Sequence, residues 1–71
     1  MPRRTAEQAE ETRAAILAAA QACFAEEGFN ASIANIVSAA GVTKGALFHH
    51  FPNKLALFRE VWTDLQTRMR N

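Results

Sequence analysis

The fold is decided by residues 41–54 of a 71-residue chain, which read Gly41-Val42-Thr43-Lys44-Gly45-Ala46-Leu47-Phe48-His49-His50-Phe51-Pro52-Asn53-Lys54. The stretch predicts a tight turn, a very short helix and the start of another helix, because Gly41 favours a left-handed turn and Pro52 cannot extend a helix. Two turns of helix are not stable alone in water. Other helices must hold this one in place, and the cationic and imidazole side chains that it carries suggest an element presented to DNA.

Composition limits what surrounds this stretch. A chain of this length forms at most one domain, with 49% of its residues hydrophobic. Cys23 is a single cysteine, so we expect no internal disulfide and a reducing, cytoplasmic location. No segment has the length or apolarity of a membrane span, and no apolar run follows Arg3 and Arg4, so we expect neither membrane association nor a secretory signal.

The positive charge is unevenly distributed along the chain. The net charge is only +1, but residues 1–4 carry +2, residues 5–40 carry −4 and residues 41–71 carry +3. The half that contains the short helix is therefore basic, as a surface that binds a polyanion requires. On charge alone, an ordinary solvated surface of mixed sign remains the alternative.

Helix signals divide the chain into a disordered basic arm at residues 1–5 and four helices. Thr5 is predicted to cap the first helix, from about Ala6 to Glu27, and Gly28 to end it, with Phe29 folding back onto Phe24. The apolar residues at helical spacing in this helix are Ile16, Leu17, Ala20 and Phe24.

The second and third helices form a helix-turn-helix. Ser32 caps the second helix and Gly41 ends it, while Thr43 caps a third helix from about Lys44 to His50. A three-residue turn containing glycine gives the sharp crossing of this motif. The expected inward residues are Ile33, Ile36, Val37, Ala40, Leu47 and Phe51.

The fourth helix begins at Lys54, after Asn53 as its cap. Its expected apolar stripe is Leu55, Phe58, Val61, Trp62, Leu65 and Met69. The predicted fold is thus all-α: a three-helix helix-turn-helix (homeodomain-like) DNA-binding domain at residues 6–53, plus the start of a connecting fourth helix at residues 54–71. Without further protein against it, part of the stripe would face water.

The third helix can act as a probe for a groove of DNA. Thr43 can offer its hydroxyl or backbone N–H to a phosphate, Lys44 can reach a phosphate or a guanine edge, and Lys54 can anchor a phosphate. The small residues Gly45 and Ala46 allow close approach to the duplex. Outward-facing side chains at Phe48 and His49 could contact it, and Ser32 could bind phosphate as Thr43 does.

Simpler explanations exist for each of these residues. Ser32 and Thr43 would serve as caps in any helical protein, Phe48 could belong to the core, and His49 and His50 could be ordinary surface residues. No enzyme signature is present, and we expect no cofactor. Two rival functions stay open: a small interaction module that offers the fourth helix to a partner helix, and, more remotely, a metal site that uses His49, His50 and Cys23.

Residues 42–54, together with the long first helix, Gly28-Phe29, Ser32-Ile33, Ile36-Val37 and Ala40-Gly41, closely resemble the signature of the tetracycline-repressor (TetR) family of transcriptional regulators. The resemblance covers about Thr12 to Trp62. It implies that the third helix is a recognition helix and that the fourth leads to a larger domain, which binds a small-molecule ligand and forms a homodimer on a palindromic operator.

The resemblance also assigns residues to roles. It places Thr43, Lys44, Gly45 and Ala46 at or near base edges and His49 at a variable position facing DNA. The implied phosphate-backbone contacts are Ser32, Phe48, His50 and Lys54. Tyrosine is common in the family where this chain has Phe48, so a hydroxyl is missing there. Because the chain ends at Asn71, we expect a fragment that lacks the ligand and dimer domain.

Overall fold

The computed structural model describes the backbone of residues 3–69 and side chains from Ala6 to Met69. All regular secondary structure in this range is helical, which confirms the all-α prediction. They are α1 (Arg3–Glu27), a short 3-10 turn (Gly28–Asn30), α2 (Ile33–Ala40), α3 (Lys44–His50) and α4 (Lys54–Met69).

The N-terminus of α1 differs from the prediction. The helix already includes Arg3, so residues 3–5 are helical rather than a disordered arm, and Thr5 lies inside the helix instead of capping it. No helix-breaking residue separates Arg3 from Ala6, and arginine is a good helix former, so the helix extends back to Arg3. Met1 and Pro2, the rest of the predicted arm, lie outside the described residues.

The three other predicted caps are confirmed. In each case the side-chain oxygen of the cap accepts a hydrogen bond from the amide three residues on, which satisfies one of the free N–H groups of the helix end. The pairs are Ser32 Oγ with the Asn35 N–H at 3.0 Å, Thr43 Oγ1 with Ala46 at 3.1 Å, and Asn53 Oδ1 with Ala56 at 2.8 Å.

The turn between α2 and α3 is built as predicted. Gly41 has φ +73°, a left-handed backbone conformation that residues other than glycine rarely adopt. The amide of Val42 donates to the carbonyl of Val37 at 3.1 Å, and the amide of Gly41 to that of Ser38 at 3.3 Å. These two bonds are the Schellman pattern, and they fix the direction in which α3 leaves the turn.

The end of α1 differs from the prediction in the contact that Phe29 makes. Gly28 is left-handed, as predicted, with φ +65°. The ring of Phe29, however, meets Phe58 of α4 edge-to-face, with centroids 5.3 Å apart, and Phe58 also meets Phe24 at 4.9 Å. Phe29 is thus linked to Phe24 through Phe58 of α4, and these ring contacts take the place of the predicted direct fold-back of Phe29 onto Phe24.

The core lies where α1 crosses the other three helices. The predicted inward residues of α1 and α3 are all buried there, and Cys23 packs against the core as a small apolar residue. The buried residues are Ile16, Leu17, Ala20, Phe24, Ala31, Ile36, Leu47, Phe51, Leu57 and Val61.

The predicted stripe of α4 is partly wrong. Leu57, which the prediction omitted, is completely buried, whereas Leu55, Trp62 and Met69 are 53%, 54% and 81% exposed. Helix α4 packs on α1 through Leu57 and Val61. The buried face of α4 is therefore rotated about the helix axis relative to the predicted apolar stripe. Leu65 is only partly buried against the core.

Candidate nucleic-acid interface

Leu47 and Phe51 determine which face α3 presents to solvent. Both are buried, and they lie four residues apart on one side of the helix. Successive residues are separated by about 100° around a helix, so Gly45 and His49 point almost directly away from this buried side. Lys44 and Phe48 flank them on one edge, and Ala46 and His50 on the other, as two further pairs at spacing four.

The exposure of these side chains follows this geometry. Lys44, Gly45 and His49 are exposed, and Phe48 is 41% exposed, which confirms that it points outward instead of joining the core. Ala46 and His50 are half-buried on the other edge. On the outward surface of α3, Gly45 has no side chain and larger side chains surround it. The backbone at Gly45 is therefore accessible to a closely fitting partner.

The capping hydroxyls keep one hydrogen-bonding function free. Ser32 Oγ and Thr43 Oγ1 each accept a backbone bond, and both residues are exposed. A hydroxyl has one donor in addition to its acceptor lone pairs. Each can therefore cap its helix and still donate to an external oxygen, such as that of a phosphate.

Within the described part of the chain, no ion pair neutralises the charge of the two lysines of this surface, Lys44 and Lys54. The ion pairs formed between residues 6 and 69 are Arg13–Glu60 and Arg68–Asp64, and neither includes Lys44 or Lys54. Lys54 is half-buried because its ammonium lies over the ring of Phe29, with Nζ 4.7 Å from the centroid. No local pattern in the sequence predicts this contact, since the only contact predicted for Phe29 is a fold-back onto Phe24.

The histidines do not assemble a metal site with Cys23. The rings of His49 and His50 stand nearly perpendicular, with centroids 5.4 Å apart, and Cys23 packs against the core. Across residues 6–69 no three His, Cys, Asp or Glu side chains are grouped so that they could hold a metal ion.

The comparisons with known proteins identify the family to which the chain belongs. The family model described as "Bacterial regulatory proteins, tetR family" matches residues 16–61, from the buried part of α1 to the middle of α4. The chain belongs to the tetR family. The resemblance inferred from residues 42–54 is thereby confirmed.

Curated relatives in the tetR family are similar over most of this chain. It is 44% identical over 63 residues to the HTH-type transcriptional regulator AcrR of Shigella flexneri, covering 87% of this chain and 29% of AcrR. It is 48% identical over 60 residues to the HTH-type transcriptional repressor BepR of Brucella suis, covering 83% and 29%. For the HTH-type transcriptional regulator TtgR of Pseudomonas putida the values are 44% over 66 residues, 92% and 31%.

The chain thus spans about a third of the length of these relatives. No solved structure gave a significant match to it. From residue 3 to residue 69, none of the helices combines the length and the apolarity needed to cross a membrane.

Proposed function

We propose that this chain is the DNA-binding domain of a transcriptional regulator of the tetR family, most simply a ligand-responsive repressor. The observation that carries the proposal is the outward face of α3. Buried Leu47 and Phe51 hold the helix in place. Its opposite side presents Gly45 and His49 to solvent, and Lys44, which joins no ion pair among residues 6–69, is exposed at one edge. A rigid helix that exposes such a face is suited to the major groove.

Each residue of the face has a proposed role. Base-edge contacts come from α3 and its cap, where Gly45 and Ala46 let the backbone approach and Lys44 reaches a guanine or a phosphate. The residues assigned to base edges are Thr43, Lys44, Gly45, Ala46 and His49. Those assigned to the phosphate backbone are Ser32, Phe48, His50 and Lys54, with Phe48 contributing ring packing alone because it has no hydroxyl.

The parent regulator would act as a homodimer on a palindromic operator. Two recognition helices placed about 34–36 Å apart reach successive major grooves on one side of the duplex. The curated relatives extend about three times the length matched here. We assign dimerisation and small-molecule binding to that further portion, into which α4 leads, and place the regulator in the cytoplasm with its DNA.

Titration of a duplex at two salt concentrations tests the proposal. Neutralising phosphates releases counterions, so binding must weaken steeply as salt rises. A duplex selected from a random pool supplies the operator, and an unrelated duplex is the control. Weak binding is expected for the 71-residue chain, because a single protomer contacts only one half-site of the operator.

A rival function has one observation in its favour. An apolar groove of about 210 Å³ lies between the end of α1 and α4, lined in part by Phe24, Phe58, Trp62 and Leu65. A partner helix could occupy it, as in a small interaction module. Such a module predicts self-association or partner binding and no salt-dependent affinity for DNA, so sedimentation together with the titration distinguishes the two functions.

A further inference from the structure

Phe29 carries a feature that helix termination does not explain. It lies in the 3-10 turn after α1, and 45% of its surface is exposed. The ammonium of Lys54, at the start of α4, lies over its ring with Nζ 4.7 Å from the centroid. A cation within about 6 Å of a ring face is attracted by the negative quadrupole of the ring.

The ring of Phe29 is itself fixed to the core. It meets Phe58 at a centroid distance of 5.3 Å and an interplanar angle of 87°, and Phe58 meets the buried ring of Phe24 at 4.9 Å and 84°. Both are edge-to-face arrangements, which aromatic pairs favour. Lys54 is therefore held against a surface with a rigid connection to α1.

We propose that Phe29 is a positioning residue for DNA binding, which holds the ammonium of Lys54 ready for a phosphate. The inference rests on the proposed function, since it concerns the same lysine. A lysine ammonium is a point charge on a flexible four-carbon stem, so free rotation must be lost when it binds. A ring that restricts the stem beforehand reduces the loss on binding.

An aromatic partner suits this task better than a carboxylate. Arg13 is held by Glu60, and that contact neutralises its charge locally. Phe29 carries no charge, so Lys54 is positioned while its full positive charge and its N–H donors remain available to a phosphate. The contact thus improves binding without competing for the ligand.

A double-mutant cycle tests the proposal on the 71-residue chain. Phe29→Leu keeps an apolar side chain against Phe58 and removes the ring, and it is compared in the parent and in the Lys54→Ala background. Phe29→Leu should weaken duplex binding about two- to fivefold in the parent and leave affinity unchanged when Lys54 is absent. Phe29→Tyr keeps a ring and should restore parental affinity.

The titrations are made at a temperature at which thermal unfolding curves show every variant to be folded. A difference in affinity then does not arise from loss of folded protein. An equal loss of affinity in both backgrounds would mean that Phe29 acts only through the fold, and would overturn the inference. Failure of Phe29→Tyr to bind better than Phe29→Leu would do the same.

A measurement without DNA separates this inference from the proposed function. The ring should shift the NMR signals of the Lys54 ε-methylene protons upfield, and Phe29→Leu should abolish the shift. An absent shift in the parent overturns the positioning contact even if DNA binds. If the upfield shift is present but the chain shows no salt-dependent binding to DNA, the proposed function is overturned, and with it the role of Lys54.

Discussion

Arg13 of α1 donates a hydrogen bond to Glu60 of α4, with Nη2 and Oε1 3.0 Å apart. The guanidinium of Arg13 also lies 5.2 Å from the ring centroid of Phe51, the residue directly after α3. One side chain of α1 therefore contacts both the C-terminus of the proposed recognition helix and the helix that follows it. This places α3 and α4 in a fixed relation to α1.

Replacing Arg13 should lower stability modestly. Both side chains of the ion pair are more than two-fifths exposed, at 44% and 42%, so solvent screening limits its contribution. With the contribution of the Phe51 contact, we expect Arg13→Met to reduce the free energy of unfolding by about 1 kcal/mol in urea denaturation.

Arg68 provides the matched control for Arg13. Its ion pair with Asp64 lies within α4, at spacing four, and joins no second helix. Arg68→Met should cost about 0.3–0.5 kcal/mol. If Arg68→Met costs as much as Arg13→Met, or more, the Arg13 contacts do not couple the helices as described.

Two leucines of α4 should respond very differently to truncation. Leu57 is fully buried and Leu55 is 53% exposed, although they are only two residues apart. Leu57→Ala should cost about 2–5 kcal/mol, enough to unfold much of so small a domain, while Leu55→Ala should stay within about 0.5 kcal/mol. Thermal denaturation followed by circular dichroism measures both, and similar losses would show that α4 packs through a different face.

Two glycines should have opposite effects when changed to alanine. Gly41 has φ +73°, which an alanine adopts only with strain, so Gly41→Ala should cost about 1–2 kcal/mol. Gly45 lies inside α3, and a Cβ there would meet only Thr43 Oγ1 at 3.8 Å, an ordinary contact. Gly45→Ala should therefore stabilise the fold by about 0.5–1 kcal/mol.

Gly45→Ala also tests the interface directly. If the backbone at this position approaches a duplex, the added methyl group should weaken DNA binding in a protein that has become more stable. Unfolding and duplex titration of the same preparation give both numbers. Unchanged or tighter binding would show that Gly45 does not lie against DNA.

Local signals in the sequence predicted much of the fold, because the information lies within a few residues. Ser32, Thr43 and Asn53 each bind an amide three positions away, and Gly41 acts on its own turn. From these residues the starts of α2, α3 and α4 were predicted correctly. The predicted start of α1 was wrong, because this helix extends back past Thr5 to Arg3.

Contacts between distant residues were not predictable in the same way. The burial of Leu57 depends on how α4 lies on α1, and no periodicity within α4 determines that. Arg13 and Glu60 are separated by 47 positions, and nothing in either segment pairs them. The Lys54–Phe29 contact likewise requires the tertiary arrangement, so the proposed phosphate anchor was visible in the sequence but its support was not.

In the proposed complex, Lys44 on α3 reads base edges of the DNA, while Lys54 anchors the phosphate backbone of the duplex. The most direct test is to measure the affinity of Lys44→Ala and Lys54→Ala for a selected operator and for base-pair variants of it, at several salt concentrations. Lys44→Ala should lose about 1–3 kcal/mol and relax preference at one or two base pairs. Lys54→Ala should weaken binding evenly across sequences and reduce the salt slope by about one unit. If both variants bind the operator as tightly as the parent at every salt concentration, this face does not bind DNA.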